Sequence, residues 1–495
     1  MADLPILSLL LVLPLVGAVA VMLCPRDRDD LTRATALTFA MLTTLLSLPL
    51  FWLYDAQAGT MQFTEFHPWV ASLGIAYSVG VDGISLLLVL MTTLLAPVGV
   101  LCSWRAIEER TREFFASFLV LVSAVIGVFI ARDLVLFYVF WEVMLVPMFL
   151  IIVIWGGRRR LYAGVKFFIY TMTASLLMLV AIVYVYLAAG AGSFDIETIR
   201  LALVEHGLSR TAELWLFVAF TLAFAVKVPV FPFHTWLPDA HTEAPTAGSV
   251  MLAAVLLKMG TYGLIRIAIP LFPQAAATAA PVMIVLAVIG IIYGALMALA
   301  QTDWKRLIAY SSVSHLGFIV LAIFAWNETA LTGAVYQMLG HGLSTGALFL
   351  VIGSVYERTH TREIDAYGGV AKVIPGTAVV FMFAMLSSVG LPGLNGFVGE
   401  FMILAGTFLE AQVAAACAAL GVIFGAAYLL TLYQKTMLGP LKHERNRTLT
   451  DLTAREWSYY VPLIAFMVLL GVFPQPFVDV MRVSLRLLAS KATTL

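Results

Sequence analysis

The chain has 495 residues, of which 62% are hydrophobic and only 12% charged, and its mean hydropathy is +0.98. That lies far outside the soluble globular range and identifies a polytopic membrane protein. Its 29 basic and 29 acidic residues cancel, which leaves no basic surplus to hold nucleic acid against salt; the scattered cysteines Cys24, Cys102 and Cys417 have no spacing for zinc, iron-sulfur or haem.

A hydrocarbon core about 30 Å thick is crossed by about 20 apolar residues at 1.5 Å each. About fourteen segments meet that length, which predicts an all-α polytopic fold. An N-terminal segment, 1–112, holds three, near 4–24, 32–54 and 82–104. No basic residue precedes the first and PRDRDD follows it, the charge order of a retained span rather than a cleaved signal. Five follow near 113–131, 133–155, 162–189, 213–239 and 245–269. Among them SFDIETIRLALVEHG (193–207) is amphipathic and expected outside the bilayer. Five more lie near 281–301, 306–326, 329–356, 375–410 and 412–438, and a last one near 457–487 within a C-terminal segment, 439–495. Nineteen of the 29 Lys and Arg fall in one set of loops and seven in the other, with Lys166, Lys227 and Lys258 in or at the edge of spans. The first side is therefore expected in the cytoplasm and both termini in the periplasm. The alanine- and arginine-rich loops point to a bacterial inner membrane.

Two spans are long and broken. One, 213–239, contains Pro229 and Pro232 in KVPVFPFHTWLP; the other, 375–410, contains Pro392 and Gly393 in SSVGLPGLNGFVGEF. Proline removes a backbone donor and clashes with the preceding turn, so each break frees carbonyls that need partners inside the membrane. If 113–269 and 281–438 are five-span blocks, each break falls in the fourth span. Five is odd, so such repeats would be inverted in the membrane.

Four charges fall deep in these spans. Glu142 and Lys258 stand about 15 Å of helix from either edge, Lys227 sits at the first break, and Glu400 follows the second. Unpaired, they would cost roughly 10 kcal/mol. One reading is static glue, Glu142 with Lys227 and Glu400 with Lys258. The other is a row of proton-exchanging sites, because burial and an opposite charge push the proton affinity of such groups in opposite directions. His315 and His341 lie in successive apolar spans beside Ser311, Ser312, Ser314, Gln337, Ser344 and Thr345, which suits either buried core residues or a relay. Lys166 either snorkels to the cytoplasmic edge or joins the same axis. His234, Asp239, His241 and Glu243 match no metal-binding spacing and are expected to tie down backbone freed by the break. With no dinucleotide, phosphate-loop or nucleophile motif, no redox chemistry is expected in this chain.

These residues stand in a recognisable setting. FWEVMLVPMFLIIVIWG, KFFIYT, FAVKVPVFPFHTWLPDAHTEAPTAGSVMLAAVLLKMGTYGLIR, DWKRLIAYSSVSHLGF, GHGLSTGALFL and GLPGLNGFVGEFMIL together resemble the antiporter-like proton-channel subunits of respiratory complex I, from about residue 82 to 440. The resemblance implies fourteen spans with two inverted five-helix repeats. It implies roles too: Glu142 and Lys227 as a pair modulating the lysine's proton affinity, Lys258 as central relay, His341 as the link between half-channels, and Glu400 as terminal carrier. His315 and Lys166 would belong to the same hydrated axis. Glutamate at the Glu400 position marks one branch of the family; subunits L and N, and the related sodium/proton antiporter chains, typically carry lysine. NADH, FMN, iron-sulfur clusters and quinone would be held by partner subunits, with none in this chain. Antiporter-like neighbours such as L and N, lipid and protons are the implied partners.

Overall fold

A computed structural model describes residues 4–493. Most of it is helix, as the apolar runs predict. Among the described residues eleven helices are long and apolar enough to cross a membrane, or twelve if one bent pair is a single span. The expected fourteen exceeds that count because both broken spans are divided into pieces too short or too charged to qualify. The first becomes Arg210–Lys227, a 3-10 turn at Phe233–Thr235 and Trp236–Glu243; the second becomes Pro375–Val389 and Asn395–Glu410. The last span also departs from expectation. It is two helices, Ala454–Val472 and Gln475–Thr493, bent by 69°, with Pro474 between them, where a helical ladder cannot continue.

Helix starts follow local chemistry. Asp82, Asp133, Asp195, Ser209, Asp303, Asn327 and Thr453 each accept from backbone N–H groups of the helix they precede, satisfying donors that have no intrahelical partner. The amphipathic stretch forms a helix at Ile196–His206, with Ile199 and Leu203 buried and its remaining side chains facing outward or half-covered. One element was not anticipated, an antiparallel hairpin of Gln62–Val70 and Ile75–Val81 turned at Gly74, φ +72°. Its Glu65 accepts from the N–H groups of Leu7 and Ser8, so the hairpin caps the first helix.

Burial separates inner from outer helices. Trp304–Ala325 and Glu328–Thr359 are entirely covered along their apolar windows, and Thr246–Leu271 nearly so. Arg160–Ala189, Pro273–Leu299 and Gln412–Met437 instead expose apolar side chains such as Leu176, Val180, Val285 and Ile423. Exposed aliphatics on outer helices suit contact with lipid, whereas a polar side chain on the three inner helices has only protein to bond to. Those inner helices carry Lys258, His315 and His341.

Candidate functional site

Thr246–Leu271 is not a uniform α-helix: wide π turns occur at Leu252–Leu256 and Leu264–Ala268, on either side of Lys258. Such turns disturb the regular ladder and often mark functional positions. The Ala253 carbonyl, in the first of them, accepts from Lys258 Nζ at 2.5 Å, and the same ammonium lies 2.7 Å from His341 Nδ1. Lys258 is fully buried, so these two contacts are its local means of holding a charge. His341 Nε2, on the far side of the ring, is buried with no hydrogen-bond partner.

Beyond His341 the row continues. The rings of His341 and His315 have centroids 5.6 Å apart. His315 Nδ1 lies 2.8 Å from Glu400 Oε1, and its Nε2 lies 3.4 Å from the Tyr428 hydroxyl, which in turn pairs with Ser311 at 2.8 Å. Glu400 stands here because the second break turns the chain: Pro375–Val389 ends at Gly390, φ +84°, and after Pro392 and Gly393, φ +92°, the Asn395–Glu410 helix begins. Both glycines occupy the left-handed region that side chains disfavour. Asn395, at the start of the second piece, accepts from the Ser387 hydroxyl and donates to the Gly340 carbonyl of the Glu328–Thr359 helix.

The first break, at Pro229 and Pro232, works similarly. Trp236 Nε1 donates to the Val226 carbonyl at 2.8 Å, replacing a backbone bond. Lys227, at the end of its helix and 1% exposed, donates to Met144 Sδ at 3.4 Å and has the rings of Phe167 and Trp141 at 5.3 and 5.7 Å. Glu142 is half-buried, and its Oε1 makes no hydrogen bond. Lys166 pairs with Asp239 at 2.8 Å.

The static pairs considered from sequence are therefore not formed. Lys227 makes no ion pair with Glu142, because the ammonium turns to the sulfur and rings beside it. Lys258 and Glu400 do not meet, because His341 and His315 stand between them. Of the polar residues after the first break, Glu243 accepts from Arg159 N–H, a backbone group at the start of the Arg160–Ala189 helix rather than one freed by the break, while Asp239 serves Lys166. His241 behaves otherwise: it is fully buried, stacked on Phe349 at 4.7 Å, with both ring nitrogens unpartnered. Sequence reasoning also passed over Tyr428, which carries no local signal, and the contact between Gln337 and Glu400, although Gln337 lies one turn before His341. Among the described residues no cluster of His, Cys, Asp and Glu could hold a metal ion.

Lysine, imidazole and carboxyl groups each gain and lose protons, and imidazole does so through two different nitrogens. A buried file of Lys258, His341, His315 and Glu400 can therefore pass a proton along its length, with one open step between the two rings.

A polytopic helical fold with two broken helices and a buried file of titratable side chains suits the class of ion-translocating membrane subunits, and comparison with known proteins agrees. Residues 131–425 match the family model described as NADH:quinone oxidoreductase/Mrp antiporter, TM. The chain is similar to NADH-quinone oxidoreductase subunit M of Rhodobacter capsulatus, 47% identical over 96% of this chain and 94% of that protein. It also resembles a chain in the structure of respiratory complex I from Thermus thermophilus with bound NADH, with a TM-score of 0.89, 35% identity, and 98% and 99% of the two chains covered. A chain of the Mrp complex from Dietzia superposes with a TM-score of 0.86 over 98% and 97% of the chains, but at 21% identity it shares the fold alone. The chain belongs to the NADH:quinone oxidoreductase/Mrp antiporter family and, within it, to the subunit M group.

Proposed function

We propose that this chain is the proton-translocating membrane-arm subunit of an NADH:quinone oxidoreductase, in which electron transfer from NADH to quinone in partner subunits drives protons through its buried file. One observation carries the reading: Lys258, His341, His315 and Glu400 follow one another at 2.7 Å, 5.6 Å between ring centroids, and 2.8 Å. A proton leaves the Lys258 ammonium for His341 Nδ1; the imidazolium then releases its other proton from Nε2, which has no bond to hold it. Crossing to His315 requires a ring swing or a bridging water, and this is the step that coupling controls. From His315 Nδ1 the proton reaches Glu400 Oε1. Each charge moved works against about 2.3 kcal/mol per 100 mV of membrane potential, a scale that rearranged buried ion pairs can supply.

Glu142, Lys227 and Lys166 form the input side in this reading. Lys227 has only soft, weakly bonding neighbours, so approach of the Glu142 carboxylate changes its hold on a proton strongly. The blocks 113–269 and 281–438 act as inverted half-channels, each opened at its proline break. The redox cofactors NADH, FMN, iron-sulfur clusters and quinone belong to partner subunits. Subunits L and N flank this one in a bacterial inner membrane, with both termini in the periplasm. Glu400 favours this assignment over a sodium/proton antiporter chain, in which lysine is typical at that position.

Replacing Lys258 by methionine keeps its shape without the amine. In the assembled complex, reconstituted in proteoliposomes, Lys258→Met is expected to remove most NADH-driven proton uptake; full pumping by that variant overturns the file as the route.

A further inference from the structure

Gln337 is 2% exposed and lies on the Glu328–Thr359 helix one turn before His341. Its Nε2 donates to Glu400 Oε1 at 2.9 Å, the same oxygen that His315 Nδ1 approaches at 2.8 Å. The other half of the amide is idle: Gln337 Oε1 is buried with no hydrogen-bond partner. The space it occupies depends on Gly399. A Cβ there would stand 2.6 Å from Gln337 Oε1 and 2.9 Å from the Gln337 backbone N, so a side chain at 399 would displace the amide from the carboxyl.

An unmade hydrogen bond at a buried acceptor is costly, and buried polar groups rarely go without a partner. The two protonation states of Glu400 explain why this one does. An ionised carboxylate only accepts, and the amide NH2 meets that need. A protonated carboxyl gains an O–H donor that needs an acceptor; His315 Nδ1 can serve only while it carries no proton itself, and the idle Oε1 of the amide already in contact is a second acceptor. Because the terminal amide torsion is broad and roughly two-fold, half a turn exchanges NH2 for oxygen without moving the rest of the side chain.

We propose that Gln337 is a positioning residue that matches its amide to the protonation state of Glu400, NH2 toward the carboxylate and C=O toward the acid, and so keeps the carboxyl beside His315 in both. The role rests on Glu400 exchanging a proton as described above. The titratable groups facing this carboxyl are His315 on Trp304–Ala325, His341 with Lys258 behind it, and Tyr428 on Gln412–Met437. Pro375–Val389 carries no titratable side chain. Those of Ala454–Val472, Arg455 to Tyr460, lie in its first two turns, while its Gly471 meets the break at Gly393.

The test is NADH-driven turnover and proton uptake across pH by assembled complexes in proteoliposomes. Gln337→Leu keeps the volume and removes both hydrogen-bonding halves; it is expected to lower coupled turnover about tenfold or more at every pH, as for the loss of a hydrogen bond to a charged group. Gln337→Glu is nearly isosteric and, when protonated, again offers one donor and one acceptor. It should be close to wild type at acid pH and lose about tenfold as pH rises and the new carboxylate repels Glu400. If Gln337→Leu does not assemble, the pH profile of Gln337→Glu decides. Wild-type turnover by Gln337→Leu, or a loss in Gln337→Glu that does not vary with pH, overturns the proposal. Glu400→Gln separates the two levels. Unchanged pumping there refutes the proton route itself, whereas an inactive Glu400→Gln beside a wild-type Gln337→Leu refutes only the role of Gln337.

Discussion

Lys227 and Lys258 are both buried lysines in apolar spans, yet their surroundings differ in kind. Lys258 has a carbonyl and an imidazole within hydrogen-bond reach; Lys227 has a thioether and two aromatic rings, interactions worth about 1 kcal/mol each. Lys227 therefore depends on Glu142 for its charge more than Lys258 depends on any carboxylate. Glu142→Ala or Lys227→Ala is expected to leave the complex assembled while abolishing most pumping and coupled turnover, measured as NADH-driven proton uptake; full pumping by an assembled Lys227→Ala complex contradicts this. At Glu400, Gln cannot titrate and Lys can, so Glu400→Gln should impair transfer more than Glu400→Lys. Equal wild-type activity in both variants takes Glu400 off the path. Which charged side chains fall within the spans was legible in the sequence, where the energy of putting charge in a membrane singles them out. Their partners were not: Lys258 and His341 are 83 positions apart and His315 and Glu400 are 85 apart, so no local pattern links them.

The two broken helices carry most of the design above single side chains, and both were visible as prolines within apolar runs. Hidden were the groups that make the breaks affordable. Trp236 reaches back to the Val226 carbonyl from ten residues away, and Trp236→Phe, which leaves that carbonyl unbonded, should cost about 1–3 kcal/mol, read as a lower Tm of the detergent-solubilised complex. On the arginine-rich side, Asp451 caps a helix to which it is not contiguous, accepting from the N–H groups of Gly376 and Thr377 at the start of Pro375–Val389. Partial burial pushes the Asp451 pKa up, but the N–H groups of Gly376, Thr377 and Leu452 and the Thr377 hydroxyl outweigh it and hold the pKa below the ordinary aspartate value. A depressed carboxylate pKa contributes stability at pH above the unfolded value, about 3.9, and that contribution fades as pH falls through the folded value. Asp451→Ala should thus cost about 1 kcal/mol or less near neutral pH, the carboxylate being partly screened by solvent. Its Tm deficit should shrink in acid. A deficit that does not change with pH contradicts the cap. The hairpin at 62–81 and the bend at Pro474 were missed for a common reason: in a chain this apolar, a short strand pair or a proline between two helices adds little to a hydropathy profile.

Membrane orientation concerns the molecule entire, and the excess of Lys and Arg in one set of loops argues it more strongly than any single loop could. A reporter fused at either terminus should read periplasmic, and a cysteine introduced at Lys442 should be labelled only from the cytoplasmic side; the opposite pattern overturns this orientation. Purification through a tag on this chain should bring subunits L and N with the redox subunits, and recovery with antiporter subunits alone would reassign it. By itself the sequence determined the all-helical membrane class, most of the spans, the two breaks and the buried charges, since hydropathy and the cost of burying charge add up residue by residue along the chain. Only the tertiary structure decided that two histidines lie between Lys258 and Glu400, that the Lys227 ammonium donates to Met144 rather than forming an ion pair with Glu142, and that Gln337 donates to the last carboxyl. The contacts of Lys258, His341, His315, Gln337 and Glu400 arise where the inner helices pack on one another and on Asn395–Glu410 with these side chains buried, so each group must bond to whatever distant segment the packing brings within reach.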